Sequence, residues 1–408
     1  MTAGVHPRAA KATEAPVLAL ALVWLVAAAV LSAGCATVPL PGPPPGSSAR
    51  APYDSPPAAK DNITITLDDH AARSILALLS KDRFDPVEAK LLEVLPAVKV
   101  AIGESNRPPE TFERDLAAAF DEQTRITMFD FRKIRDDRSR WDAFLSALSA
   151  KENEITRKAA TRATSLLPAD IMVTVTTPIS LTFGLPGRAD HVLATGESGE
   201  RMTVIDLARA LAEEETSGPQ AQLDHFARML ASEAYQRAWT AYRAASAAWQ
   251  KHDLGLKQLE PLLREVAESG PVALYGIDPN FFPLSMWLKD RMTASLDELN
   301  RVAERLVSTE GDLDQRVSLS AEVRRPDFVS RVAAPAGAFL ADGIIQTLGV
   351  EAYRTAIAAG PRAFFEAYEK AMLQRGKQLV PLSKTIRDTL AGAGAGAGTG
   401  AAPKGSSD

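Results

Sequence analysis

The chain has 408 residues, of which 46% are hydrophobic and 24% are charged, a composition typical of a globular protein. Its formal net charge of -5 gives no electrostatic basis for binding nucleic acid. The single cysteine excludes an internal disulfide and a cysteine-rich zinc site. The length allows two or three domains, or one large helical domain with additions.

The N-terminal segment has the order of features that is typical of an export signal. Arg8 and Lys11 supply positive charge, an uncharged apolar run follows, and small residues precede Cys35. The motif Ser32-Ala33-Gly34-Cys35 resembles the lipobox of bacterial lipoproteins. That resemblance implies removal of residues 1–34 and attachment of lipid to Cys35. The acyl chains would then hold the mature protein on a membrane.

The residue after the cysteine bears on location. It is Ala36, whereas an Asp at this position would resemble the signal for retention in the inner membrane. We therefore expect a bacterial cell-envelope protein, lipid-anchored and located at the outer membrane. The alternative is an uncleaved membrane anchor in which the cysteine has no role.

Changes in composition divide the remaining chain. Residues 35–60 contain the lipidated cysteine and a Pro-rich tether, whose prolines favour extended polyproline geometry. Residues 391–408 are an Ala/Gly-rich tail that we expect to be disordered. Between them we expect a mainly helical region over residues 61–168 and a second region over residues 169–390.

The first region reads as one strand followed by helices. Residues 62–67 alternate with period two, which predicts a strand. Asp68 or Asp69 can cap the next helix, and Asp85-Pro86 and Pro109-Glu110 each predict a helix start. A long amphipathic helix is predicted over residues 138–167.

The second region begins with strands and ends with helices. Strands are predicted over residues 170–176, 179–183 and 201–207, with a turn-rich segment over residues 184–199. Helices follow, with predicted breaks at Gly270-Pro271, Asp278-Pro279 and Gly360-Pro361. The predicted fold class is α+β and mostly helical, with one small sheet followed by a helical, metallopeptidase-like region.

One ordered set of segments suggests a family. A strand ends in Val204-Ile205-Asp206-Leu207, a helix covers residues 222–239, and Glu310-Gly311 comes much later. This order resembles a group of bacterial zinc-dependent peptidases of the HExxH, gluzincin-like type. In that group the helix carries the HExxH motif and a later Glu-Gly supplies the third ligand. The corresponding helical segment here reads Ser232-Glu233-Ala234-Tyr235-Gln236.

The replaced histidines define what the resemblance implies. In HExxH, histidines at i and i+4 bind one zinc ion, and the glutamate acts as general base towards the metal-bound water. Ser232 and Gln236 offer only a neutral hydroxyl and a neutral amide, which are weak zinc ligands. The resemblance therefore implies a pseudo-metallopeptidase without a metal cofactor. Ser232, Glu233, Gln236 and Glu310 would line a relic cleft that binds a peptide or protein.

Simpler interpretations stand beside this one. Glu233 can form an exposed ion pair with Arg237, and Glu310-Gly311 can be a solvated helix end. His191 and His252 are isolated in the sequence and suggest no metal site. At the level of function, two alternatives remain: a structural envelope lipoprotein unrelated to peptidases, and an active zinc metallopeptidase with unrecognised ligands.

Overall fold

The computed structural model describes residues 62–121, 127–187, 190–196, 199–212, 214, 218–276, 286–309, 312–323, 332–376 and 379–395. All of them belong to one compact unit, Arg50–Asp408. The fold is α+β and mostly helical with one four-stranded sheet, which confirms the predicted class. Across those ranges, no helix is long and apolar enough to cross a membrane. Cys35 and the tether lie outside the described residues.

The first part of the fold is one strand and six helices. Their bounds are β1 (Ile63–Asp68), α1 (His70–Leu79), α2 (Pro86–Leu92), α3 (Pro96–Ser105), α4 (Glu110–Ala118), α5 (Phe131–Asp136) and α6 (Arg138–Ala163). Asp85 begins α2 as predicted, because its carboxylate accepts hydrogen bonds from the backbone N–H groups of Val87 and Glu88. Pro86 occupies the first turn, where a missing N–H costs no hydrogen bond.

Three further strands complete the sheet. They are β2 (Val175–Thr182), β3 (His191–Thr195) and β4 (Arg201–Asp206). The strand order is β1-β2-β4-β3, in which β1, β2 and β4 are parallel and β3 is antiparallel to β4. Ile63 pairs with Val175, so the sheet joins the two regions that the sequence suggested.

The prediction of separate strands on either side of residues 177–178 is wrong. The chain forms one continuous strand, β2, which passes through Pro178. Val175 donates its N–H to Asn62 of the β1 side, so alternation places the ring nitrogen of Pro178 on the β4 side. Pairing with β4 begins one residue later, at Ile179, and the missing N–H therefore interrupts no ladder bond.

The remaining elements are helical. They are α7 (Leu207–Ala210), α8 (Pro219–Ala245), α9 (Ala247–Gln250), a 3-10 helix (Leu254–Leu259), α10 (Glu260–Gly276), α11 (Met286–Ser308), α12 (Leu313–Val323), α13 (Ala333–Leu348), α14 (Val350–Ala358), α15 (Pro361–Arg375) and α16 (Lys384–Ala395). The last helix thus includes the first residues of the segment that we expected to be disordered. The predicted break at Asp278-Pro279 lies outside the described residues.

The other two predicted breaks have different outcomes. A break at Gly360-Pro361 is confirmed: α14 ends before it, α15 begins at Pro361, and Gly360 has a φ of +100°. The predicted break at Gly270-Pro271 is wrong, because α10 continues through both residues. Gly270 serves helix packing instead. A methyl group there would lie 2.4 Å from the backbone carbon of Gly337 on α13.

Aromatic contacts place α8 beside α6 and the sheet. Phe144 of α6 meets Phe226 of α8 edge-on with ring centroids 5.8 Å apart, and Trp141 meets Phe183 at 5.2 Å. Four consecutive residues at the end of β2 are buried, so both faces of the sheet are covered there. This packing fixes one side of α8 against the strands.

Candidate functional site

Helix α8 presents one half-buried stripe. His225, Met229, Ser232 and Gln236 follow one another at helical spacing, and each is partly exposed. A methyl group on Gly276 would lie 3.7 Å from the hydroxyl oxygen of Ser232, so the end of α10 lies against this stripe. Ser232 and Gln236 thus share one face, as the sequence predicts for residues at i and i+4.

Glu233 lies on the neighbouring side of α8, towards the sheet. Glu233 is only 6% exposed to solvent. Carboxylate oxygen Oε2 accepts a hydrogen bond of 3.0 Å from the Thr203 hydroxyl of β4. The other oxygen, Oε1, lies 3.4 Å from Nε2 of His191 on β3. Glu233 is therefore not the exposed residue of a surface ion pair, and both carboxylate oxygens face groups of the sheet.

Arg237 lies one turn further along α8 and approaches the same threonine. Its guanidinium donates to the Thr203 hydroxyl at 3.2 Å and to the backbone carbonyl of Arg201 at 2.8 Å. Burial lowers the pKa of Arg237, although the guanidinium remains charged. The Thr203 hydroxyl thus accepts from Arg237 while it donates to Glu233, so one buried hydroxyl links the two charged side chains.

An Asp–His pair stands at the start of β3. Asp190 Oδ1 lies 2.8 Å from His191 Nδ1. This hydrogen bond raises the pKa of His191, and the charge of Glu233 acts in the same direction while burial opposes it. The same hydrogen bond lowers the pKa of Asp190. Asp190, His191 and Glu233 therefore form a continuous line from the edge of the sheet to α8.

Strand β3 is the terminal strand on its side of the sheet in the described part of the chain. The backbone N–H of Asp206 donates to the carbonyl of Asp190 at 2.9 Å. The N–H and C=O groups of the even-numbered residues of β3 therefore point towards β4. By alternation, His191, Leu193 and Thr195 direct their N–H and C=O groups away from β4. Leu193 is also 55% exposed. The site thus includes an open strand edge with an apolar side chain at its centre.

Asp206 is the last residue of β4 and lies opposite Asp190. Its carboxylate accepts hydrogen bonds from the N–H groups of Gly184 and Leu185 at 3.0 and 2.7 Å, and from Ala208 and Arg209 at the start of α7. Burial raises the pKa of Asp206 to about 6, against the effect of these donors. The aspartate within the predicted Ile-Asp-Leu strand end therefore has a structural role in joining a turn to a helix.

The predicted site residues are only partly accounted for. Glu310 lies outside the described residues, so its distance from α8 is not defined. Within the described ranges, no group of three or more His, Cys, Asp or Glu side chains could hold a metal ion. At the two positions of the motif, α8 offers a hydroxyl and an amide, and Glu233 is engaged with Thr203. This set does not suit zinc, which favours imidazole nitrogen and thiolate sulfur.

Sequence reasoning missed the contribution of β3. We expected turns over residues 184–199 and treated His191 as isolated, whereas the structure places His191 beside Glu233. One signal was present: His191-Val192-Leu193-Ala194-Thr195 contains three apolar residues and a β-branched end between two glycines. Thr203 and Asp190 could not be linked to Glu233 without the pairing of β3 with β4.

Comparisons with models of protein families, with curated proteins and with solved structures gave no match to this chain. The function must therefore be inferred from the site itself.

Proposed function

We propose that this protein is a lipid-anchored protein of the bacterial envelope that binds an extended peptide segment along β3 without cleaving it. The observation that carries the proposal is the open edge of β3, with Leu193 exposed at its centre and α8 beside it. We further propose that the protein is a non-catalytic relative of HExxH peptidases.

The chemistry of a strand edge supports peptide binding. His191, Leu193 and Thr195 each offer an N–H donor and a C=O acceptor, and an added strand would pair with all of them. Proteins normally protect such edges with charges, bulges or covering segments, because open edges recruit other chains. In β3 the central residue is instead an exposed leucine, which can contact an apolar side chain of an added peptide.

The state of Glu233 supports binding without cleavage. A general base must reach the proton that it removes, directly or through one water molecule. Oε2 of Glu233 already accepts from Thr203, and Oε1 faces His191. Ser232 and Gln236 occupy the positions at which a metallopeptidase would carry its histidines. These residues can offer hydrogen bonds to a peptide but cannot activate water as a bound zinc ion does.

The envelope location rests on Cys35. We expect this residue to carry lipid and residues 1–34 to be absent from the mature chain. Replacing Cys35→Ser should release the protein from the membrane fraction and change its mass by the lost acyl groups, both measurable by fractionation and mass spectrometry. A variant that remains membrane-bound with the same lipid mass would contradict the anchor.

Peptide binding can be tested with the full chain in detergent micelles. Random dodecapeptides displayed on phage are selected on the immobilised protein, and enriched sequences are resynthesised for fluorescence anisotropy. Leu193→Pro removes an outward-facing N–H and is tolerated geometrically, because proline is accepted on edge strands where its nitrogen faces away from the ladder. We expect this variant to bind the peptides at least about tenfold more weakly than the parent.

The matched control is Leu193→Ala, which shortens the same side chain but keeps the N–H. It should lose less affinity than Leu193→Pro, because the backbone supplies most of the pairing. Equal loss in the two variants would locate binding in the side chain alone and contradict strand addition. A selection that enriches no peptide would contradict peptide binding altogether.

The relation to zinc peptidases has its own test. The double variant Ser232→His, Gln236→His places two imidazoles at i and i+4 on α8. If Glu310 approaches this face, zinc binding should appear in a calorimetric titration, weakened by the missing groups that orient ligand histidines. His225→Ala in the same background checks that the existing histidine is not the ligand. No gain in zinc affinity over the parent would leave the relation unsupported.

A further inference from the structure

We propose that His191 is a positioning residue. While its imidazole is protonated, its contacts with Asp190 and Glu233 hold strand β3 against helix α8; we call these contacts the tie. Loss of the proton breaks the contact with Glu233 and releases the strand. The consequence for peptide binding rests on the proposed function, whereas the tie itself does not. The proposal stands on the line formed by Asp190, His191 and Glu233.

The geometry explains why protonation matters. As an imidazolium, His191 can donate from Nδ1 to Asp190 at 2.8 Å and from Nε2 towards Glu233 at 3.4 Å. A neutral imidazole has only one N–H. If Asp190 keeps it, the lone pair of Nε2 faces the Glu233 carboxylate, and an attraction becomes a repulsion. His191 is 40% exposed, so the released proton can pass directly to solvent.

Few charged groups compete for the imidazole. Of the described residues, Asp190 faces it from its own strand and Glu233 faces it from α8. The cross-strand partner on β4 is the apolar Ile205. Arg237 is close to Glu233 but directs its guanidinium to Thr203 and to the carbonyl of Arg201. The nearest charges therefore favour the protonated form of His191.

The tie should have a limited pH range. Because the pKa of His191 is raised above 6.5, its contribution is fully present below that value and disappears as the pH rises through the raised pKa. The pKa of Asp190 is lowered below 3.8, so that partner is lost only in stronger acid. The edge strand should therefore be held most firmly between about pH 4 and pH 6.5.

A held strand is a better template for an added peptide. Among the described residues, strand β3 has a strand partner on one side only, and its order depends on β4 and on its contact with α8. Fixing the strand before binding removes part of the entropy cost of ordering it with the peptide. Peptides selected as above should consequently bind more tightly at pH 6 than at pH 8.

Amide hydrogen exchange measures the tie without any peptide. The N–H groups of Val192 and Ala194 face β4, and their protection reports how firmly β3 is held. In the full chain, after correction for intrinsic exchange rates, protection should fall about three- to tenfold between pH 6 and pH 8. His191→Gln should abolish this change. His252→Gln is the matched control, since that side chain is 76% exposed, and it should retain the change.

Glu233→Gln provides a second route if His191→Gln folds poorly. This variant keeps the imidazole but removes one charge, so an NMR titration should show a lower His191 pKa and exchange should vary less with pH. The proposal is overturned if the parent shows no pH dependence at Val192 and Ala194, or if His191→Gln retains it. Peptide affinity that does not change with pH while exchange does would contradict the effect of the tie on peptide binding. Absence of peptide binding at both pH values would contradict the proposed function and leave the tie intact.

Discussion

Two helix contacts in this molecule are built on opposite physical principles. Where α10 crosses α13, Gly270 and Gly337 let the two backbones touch, and the surrounding residues are apolar and buried. Where α8 meets β3 and β4, the contact consists of Glu233, Arg237, Thr203 and His191. The first contact depends on shape alone. The second depends on protonation and on complete hydrogen bonding, so it can respond to conditions.

The largest expected effect comes from filling the apolar contact. In Gly337→Ala the new methyl would lie 2.3 Å from the backbone oxygen of Val266, so the helices must separate. We expect the free energy of unfolding to fall by about 3 kcal/mol, measured by urea denaturation. Gly103→Ala is the control, because a methyl there meets nothing within 4 Å. That variant should be more stable by about 0.5–1 kcal/mol, through better helix propensity.

An unchanged stability of Gly337→Ala would contradict this prediction, since it would show that the α10–α13 contact can adjust to an added methyl group.

The sequence could not reveal the α10–α13 contact. Gly270-Pro271 has the composition of a helix break, and only the position of Gly337 on another helix explains why α10 continues through it. By contrast, Asp85-Pro86 acts through its own neighbours, and its prediction as a helix start is confirmed.

The polar contact should show a smaller effect. Thr203→Val keeps the shape of the side chain but leaves Glu233 Oε2 without its donor and Arg237 without one acceptor. We expect a loss of about 1–3 kcal/mol in the free energy of unfolding, measured in parallel urea titrations. Thr195→Val on exposed β3 is the matched control and should change stability by less than about 0.5 kcal/mol. Equal effects would show that the buried hydrogen bonds contribute nothing.

The residues around Glu233 show which parts of the site the sequence could predict. Helix α8 and its face with Ser232 and Gln236 follow from periodicity, which depends on local spacing. The contacts of Glu233 depend on β3, a five-residue strand in a turn-rich segment. Pairing between strands is a tertiary property, so neither Thr203 nor His191 could be assigned to Glu233 from the sequence. Pro178 was misleading for the same reason, because its tolerance depends on where β4 begins to pair.

The smallest expected effect comes from the surface between α6 and α8. Lys158 pairs with Asp224 at 2.9 Å, but the two side chains are 60% and 41% exposed. Lys158→Ala should change the free energy of unfolding by at most about 0.5 kcal/mol at moderate salt. Phe226→Leu, which replaces a buried ring that contacts Phe144 with a smaller apolar side chain, should cost about 1–2 kcal/mol in the same assay. A loss of unfolding free energy well above about 0.5 kcal/mol in Lys158→Ala would show that polar contacts also stabilise the packing of α6 against α8.

The pairing of β1 with β2 also has a consequence for the order in which the protein forms. Ile63 must find Val175, about 110 residues later, before β1 can join the sheet. Closing so long a loop is entropically unfavourable and slow, and it leaves the strand nearest the tether unpaired in the meantime. Strand β1 should therefore join the sheet late, after the short-range pairing of β3 with β4 has formed. During that delay β1 exposes unpaired backbone N–H and C=O groups, which makes the folding intermediate prone to pair with other chains.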